Sequence, residues 1–274
     1  PRPLFEATIA RAGQDVTVNI QFEQATVQLG GVVTSASRRV EKITDAPATI
    51  TRLEDAQIQN SIGNSFASAL KEVKGLEFIQ TGVLTSAVNA RGFNSSFNNR
   101  ILQIEDGRIG VLAESALPVG SLTTGSKIDL ASVEVLVGPG SALYGPDASN
   151  GVVTLSTKDP RQYPGWAVEL DGGTRNFYDA QARYAGNSGK VGYKVTGEYV
   201  AVDEFHQDSL FYPAVAAGGK PILEKDANWR NDIIRGSGML AYYLDNGSRL
   251  MATLGASKLN GVGATNVGRN QLQN

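Results

Sequence analysis

From Trp166 onward, apolar and polar residues alternate with a period of two. Trp166, Val168 and Leu170 are separated by Ala167, Glu169 and Asp171; after a short turn, Tyr178, Ala180, Ala182 and Tyr184 are separated by Asp179, Gln181 and Arg183. Val191, Tyr193, Val195 and Tyr199 stand opposite Lys194, Thr196 and Glu198, and Ile234, Leu240, Tyr242 and Leu244 opposite Arg235 and Ser237. Leu250, Ala252, Leu254 and Ala256 stand opposite Arg249, Thr253 and Ser257. Successive side chains of a strand point to opposite faces, so the pattern predicts five strands, each with one apolar and one polar face. A soluble antiparallel sheet alternates in the same way. Connection lengths separate the two readings: 186–190 and 245–248 are tight turns, whereas 203–232 is a long polar excursion, and short turns on one rim with long loops on the other mark a membrane barrel. Tyr178, Tyr199 and Tyr242 near strand ends fit an aromatic girdle, although tyrosine is also common in ordinary strands.

Residues 39–160 follow another rule. Thr51-Arg52-Leu53-Glu54 has the form of a capping box and predicts a short helix to about Gln59. Phe66, Ala69, Leu70 and Val73 recur at helical spacing between Asn64 and Gly75, with Lys71 and Lys74 placed to complement the dipole. Short strands are expected at Val88 to Phe93, Ile101 to Glu105, Val133 to Val137 and Gly151 to Thr157, with Asp106-Gly107 as a hairpin turn and polar loops at 94–99 and 113–126. This is a compact α+β unit. Upstream, Val16, Val18, Ile20 and Phe22 alternate with Thr17, Asn19 and Gln21, which predicts a strand within 1–29; Gly30-Gly31 then opens a tether over 30–38.

Composition narrows the function classes. With 27 acids against 25 bases and no long basic run, there is no electrostatic footprint for nucleic acid. The chain has no cysteine and a single histidine, His206, in a polar stretch without a nucleophile at a recognisable spacing, so thiolate metal sites are excluded and an enzyme is not expected. No catalytic residue, cofactor or metal site is assigned. Every apolar run is far shorter than the roughly 20 residues a membrane helix needs, which leaves a barrel as the way this chain could cross a bilayer.

Six motifs in order give residues 32–158 a resemblance to the plug of TonB-dependent outer-membrane receptors. They are Arg91-Gly92-Phe93; Arg100-Ile101-Leu102 leading to Asp106-Gly107-Arg108; Val133-Glu134-Val135-Leu136; Gly138-Pro139; Ser141-Ala142-Leu143-Tyr144-Gly145; and Asn150-Gly151-Val152-Val153 running on to Thr157-Lys158. Their own chemistry reads first as structural: glycines at 138, 140 and 145 with Pro139 make a rigid turn over 138–146. Arg91 and Glu134 lie on otherwise apolar segments, where a charge is costly unless paired. The resemblance implies that these two charges face the inner barrel wall; the alternative is a solvated surface charge. One departure is Val137, where many members carry an arginine that anchors the plug to barrel carboxylates; that anchor is not carried over.

Val32-Val33-Thr34-Ser35-Ala36 resembles a TonB box, the segment that pairs as a strand with the periplasmic energy-transducing partner. The strand within 1–29 is similar to the end of a carboxypeptidase-regulatory-like domain. The fold class is thus an α+β plug domain, 39–160, followed over 161–274 by the first strands of an antiparallel transmembrane β-barrel. A globule of the plug's size has a girth of about 110 Å, and tilted strands each cover roughly 6 Å of it, so about 18 strands or more are needed. Five cannot close, and the barrel is expected to be incomplete. The implied function is energy-coupled import of a scarce small molecule or metal chelate (siderophore-iron, cobalamin or similar) through a barrel seated in outer-membrane lipid. Expected ligand contacts are Gln80, Thr81, Phe97, Asn98, Asn99 and Leu117, with the 203–232 loop. The alternative is a passive or adhesive barrel with no partner-binding segment.

Overall fold

The computed structural model of the protein describes residues 49–63, 65–80, 82–92, 98–110, 123–205 and 229–261, together with the backbone of strand residues 32–33, 41–42, 214–215, 221–222, 262–265 and 268–273. The strand expected within 1–29, Thr34, Ser35, Ala36, Thr81, Phe93, Phe97, Leu117 and His206 lie outside the described residues.

Two short strands, β1 (Val32–Val33) and β2 (Glu41–Lys42), pair antiparallel. The α+β unit follows. Strand β3 (Thr49–Glu54) runs into helix α1 (Asp55–Asn60), and α2 (Phe66–Ala69) tightens into a 3-10 turn over Leu70–Glu72. Strands β4 (Leu76–Gln80) and β5 (Ser86–Ala90) form a hairpin. Next come β6 (Ile101–Glu105), β7 (Arg108–Ile109), β8 (Leu130–Val137), helix α3 (Ser141–Tyr144) and β9 (Gly151–Thr157). The sheet order is β3-β8-β9-β6-β7, with β6 and β9 parallel and the other neighbours antiparallel.

This sheet is buried on both faces. Val133 and Val135 point into a core with Leu53, Ile58, Phe66, Leu70, Val153 and Leu155, while Leu136 points the other way to Ile50, Leu102, Ile104 and Val152. Each such side chain contributes about 1.5–3 kcal/mol by leaving water.

The local start of α1 differs from the sequence expectation. Thr51 lies in β3 opposite Val135, and the capping box is made instead by Glu54 and Gln57. Thr49, Ile50 and Thr51 are β-branched and have a sheet partner, so ladder hydrogen bonding outweighs the cap signal. Likewise β5 ends at Ala90, short of the expected Phe93, because Arg91 (φ 62°) and Gly92 (φ 77°) turn the chain. Asp106 (φ 46°) and Gly107 (φ 84°) make the expected hairpin turn.

Five long strands follow: β10 (Gly165–Gly173), β11 (Phe177–Ser188), β12 (Val191–Asp203), then, after the short β13 (Ala214–Val215) and β14 (Pro221–Ile222), β15 (Arg230–Tyr243) and β16 (Arg249–Thr265). Strand β17 (Gly268–Gln273) adds to β16, and β13 and β14 continue that edge. The five strands coincide with the five alternating segments of the sequence, each longer than its apolar run suggested. Connections are short at one rim, where Ser188 pairs with Val191 and Tyr243 with Arg249.

Candidate functional site

The long sheet is inside out by the standard of a soluble protein. On one face Trp166 is 74% exposed, Val168 64%, Leu170 75% and Leu254 82%. On the other, Asp179, Gln181, Arg183, Lys194, Thr196, Glu198 and Arg235 are all buried. In water such an apolar face would be driven inward. It is the expected arrangement where the outer face meets lipid and the polar face meets a plug. Trp166 and Tyr184 have ring centroids 4.6 Å apart, with Tyr193 a further 6.2 Å from Tyr184, forming an aromatic cluster on the lipid face near the short-turn rim.

Between the two rims the polar face meets the α+β unit at a buried carboxylate. Asp129 ends a 3-10 turn over Lys127–Asp129, immediately before β8. Its Oδ1 accepts from Arg183 Nε at 2.6 Å and its Oδ2 from Lys194 Nζ at 2.7 Å. All three side chains are buried, at 4% exposure or less. Lys194 also donates to Thr157 Oγ1 (2.6 Å) and Lys158 O (2.8 Å), and Arg183 Nη1 to Tyr163 O (2.7 Å). Gln181 adds a neutral contact, its Oε1 accepting from the Ile128 amide at 3.0 Å. The clamp therefore ties β8 and β9 of the plug to β11 and β12 of the wall.

A second contact pins the linker. Asp159 accepts from Tyr243 Oη (2.7 Å), Arg249 Nη1 (2.8 Å) and the Arg161 amide (2.9 Å), while the Arg161 guanidinium stacks on the Tyr243 ring at 3.7 Å. A Cβ at Gly192 would lie 2.9 Å from Pro160 Cγ and 3.0 Å from the Tyr243 ring, so only glycine lets the linker pack this closely. Burial alone would raise the Asp159 pKa; the Tyr243 hydroxyl, the Arg161 amide and Arg249 outweigh it and hold the carboxyl below its ordinary 3.8. A depressed folded pKa stabilises the native state above the unfolded value and loses that contribution as pH falls through the folded value. The thermal-melting difference between wild type and Asp159→Asn in the full-length protein is therefore expected to be present at pH 5–6 and to vanish as pH falls below 3.8. A difference that stays constant down to pH 2 would contradict this.

The residues singled out in the sequence are dispersed. Glu134 is buried and accepts from Arg52 Nη1 at 2.9 Å, its cross-strand neighbour on β3, so this ion pair is internal to the plug. Arg91 is exposed in its turn, beside Gly138. Asp106 accepts from the Thr157 amide (2.9 Å) and Thr157 Oγ1 (2.6 Å), a structural role. Gly138 and Gly145 have φ of 150° and 92°, bracketing α3, and Tyr144 packs on the second core cluster. Gly151 pairs with Val137 and Ile101. Gln80 sits at the Ser86 end of the β4–β5 hairpin. Asn98 and Asn99 lie at the other end: Asn98 Oδ1 accepts from the Arg100 amide, Arg100 O from the Asn150 amide, and Ala90 O from Asn150 Nδ2. Gln80 and Asn98 are thus not neighbours.

Asp129, Asp159, Arg183, Lys194 and Glu204 belong to none of the sequence motifs. Arg183 and Lys194 carried a usable signal, being full charges in mid-strand opposite an apolar face; the carboxylates carried none. Among the described residues no group of three or more His, Cys, Asp or Glu could hold a metal ion.

The geometry defines a class, a membrane β-barrel wall wrapped on an internal plug. Residues 42–152 match the TonB-dependent Receptor Plug Domain family. The chain is 33% identical over 150 residues to the vitamin B12 transporter BtuB of Vibrio vulnificus, covering 52% of this chain and 23% of that protein. It is 27% identical over 164 residues to the iron-regulated outer membrane virulence protein of Vibrio cholerae, covering 55% and 24%. The same fold occurs in the ferripyoverdine receptor of Pseudomonas aeruginosa (TM-score 0.61, 17% identity, 84% of this chain and 28% of that one). It occurs also in the alcaligin receptor FauA of Bordetella pertussis (TM-score 0.62, 13% identity, 85% and 36%). The chain spans about a quarter of the length of the curated relatives it matches. Residues 42–152 thus carry a plug domain of the TonB-dependent receptor type, and the chain is similar in sequence and fold to receptors of the bacterial outer membrane.

Proposed function

We propose that the full-length protein imports a scarce ligand, a siderophore-iron complex, cobalamin or a similar compound, across the outer membrane with energy from a TonB-type partner. The observation that carries the reading is the inverted burial of β10–β16 around a plug held by buried charges. A plug pinned inside a barrel blocks free diffusion, so passage of a large ligand requires work on the plug. The 33% identity to a protein named as a vitamin B12 transporter supports a transported ligand. No covalent chemistry is assigned.

Residues 32–36 are proposed as the partner-binding segment. The pairing of Val32–Val33 with Glu41–Lys42 supports this, since it is the same edge pairing that a partner strand would make. Deleting residues 32–36 from the full-length gene should abolish uptake while leaving ligand binding at the cell surface intact. Uptake at the wild-type rate would instead favour a passive or adhesive barrel. Arg91 as a contact to further barrel wall, Glu134 as one that would act through its partner Arg52, and Gln80, Thr81, Phe97, Asn98, Asn99 and Leu117 as ligand contacts belong to the same proposal. The separation of Gln80 from Asn98 along β5 means that ligand contacts at both would come from the two ends of that strand.

A further inference from the structure

The far rim of the wall, opposite the β11–β12 and β15–β16 turns, holds a buried carboxylate that the import reading does not use. Glu204 directly follows β12 and is 3% exposed. Its Oε2 accepts from the Val83 amide at 2.8 Å, in the plug loop between β4 and β5, and from Asn231 Nδ2 at 3.1 Å. Its Oε1 accepts from the Phe205 amide at 2.9 Å. The main chain is held as well: Glu204 N donates to Trp229 O at 2.7 Å, and Arg175, in the β10–β11 turn, donates from Nε to Asp203 O at 2.8 Å and from Nη2 to Glu204 O. Residues 203–205 and 229–231 are the two stems of the excursion over 206–228. One side chain therefore joins a plug loop to both stems.

The fit leaves no slack. A Cβ at Gly82 would lie 2.5 Å from Glu204 Oε2, and one at Gly261 would lie 1.8 Å from Asn231 Oδ1. Around the carboxylate, Leu84 and Val83 pack on Val200, Val202, Ile233 and Leu259. A buried carboxylate must keep its donors, because each lost N–H leaves a charged oxygen out of water without compensation. The three donors here are neutral N–H groups in separate positions, one of them on the plug. Displacing the plug loop or a stem therefore breaks the same cluster.

We propose that Glu204 is a latch coupling plug loop 82–85 to the stems of the long excursion, so that a change in either alters the stability of the other. Its use in reporting ligand capture to the plug rests on the import function proposed above; the latch itself does not. Coupling of this kind is reciprocal, and reciprocity makes it testable from both sides without a ligand.

The experiment is hydrogen exchange by mass spectrometry on the full-length receptor in detergent micelles. Glu204→Gln keeps the shape but turns an amide toward donors; Gly82→Ala presses on Glu204 from the plug alone; Asn231→Ala removes one donor from a stem alone. Glu204→Gln is expected to speed exchange at 82–85 and at 229–231 by roughly 10- to 100-fold, the loss of one hydrogen bond to a charged group. Gly82→Ala should speed exchange at 203–205 and 229–231, and Asn231→Ala at 82–85, with β8 amides unchanged in both. Effects confined to the mutated side would overturn the coupling, even if Glu204→Gln fails to fold. Linked exchange with no ligand uptake would sink the import reading alone, and unlinked exchange with normal uptake would sink the latch alone.

Discussion

Replacing Asp129 by asparagine in the full-length protein is expected to cost about 3–5 kcal/mol in retention of the plug, the size seen when one partner of a buried ion pair is removed. The reason lies in what remains. Arg183 and Lys194 are 3% and 4% exposed and both direct their charges at the same carboxylate, so its loss leaves two buried like charges without the counter-ion they share, Asp106 reaching Lys194 only across Thr157. Neither can reach bulk water without parting β11 or β12 from the plug. Hydrogen exchange across 127–137 should show the effect as a loss of protection of roughly two to three and a half orders of magnitude. A triple variant, Asp129→Leu with Arg183→Met and Lys194→Met, should recover much of the loss, because removing all the charges removes the desolvation penalty together with the attraction. A change below about 1 kcal/mol for Asp129→Asn would mean that the clamp does not hold the plug.

The second large effect concerns the outer face. Val168 belongs to the middle transverse row of that face, Val168-Ala182-Gly197-Gly236-Ala256, between the row of Trp166 and Tyr184 and the row containing Tyr199. Val168→Arg in the full-length receptor is expected to lower folding stability in lipid vesicles by about 2–4 kcal/mol, and Tyr178→Arg nearer the rim by about 0–1 kcal/mol. On a water-facing sheet both would fall within about ±0.5 kcal/mol. Denaturant titration of the vesicle-inserted protein reads the difference. Equal and small effects at the two depths would refute a lipid-facing wall, and the receptor assignment rests on that wall.

Much of the architecture was legible in the residues because its cause is local. Alternation in β10, β11, β12, β15 and β16 follows from each strand's having to satisfy two solvents, and that requirement is written every second residue. Turn chemistry at Asp106-Gly107 and the plug motifs over 91–158 are likewise short-range. At Thr51 two local signals compete: the spacing to Glu54 favours a cap, yet its β-branched neighbours find a ladder on β8 that only the folded sheet provides. Arg91 looked like a strand charge until the turn at Ala90 placed it on the surface.

The amino-acid sequence alone determined that an α+β unit precedes strands with one apolar and one polar face, and the order of the motifs gave the first of these its resemblance to a receptor plug. Only the tertiary structure decided which face is buried, and which charges meet. Arg183, Lys194 and Asp129 are separated by up to 65 residues, as are Glu204 and Val83 by 121, so no periodicity or spacing encodes their contacts. Pairing at such distances is set by how the wall registers on the plug, a property of packed surfaces rather than of neighbouring residues.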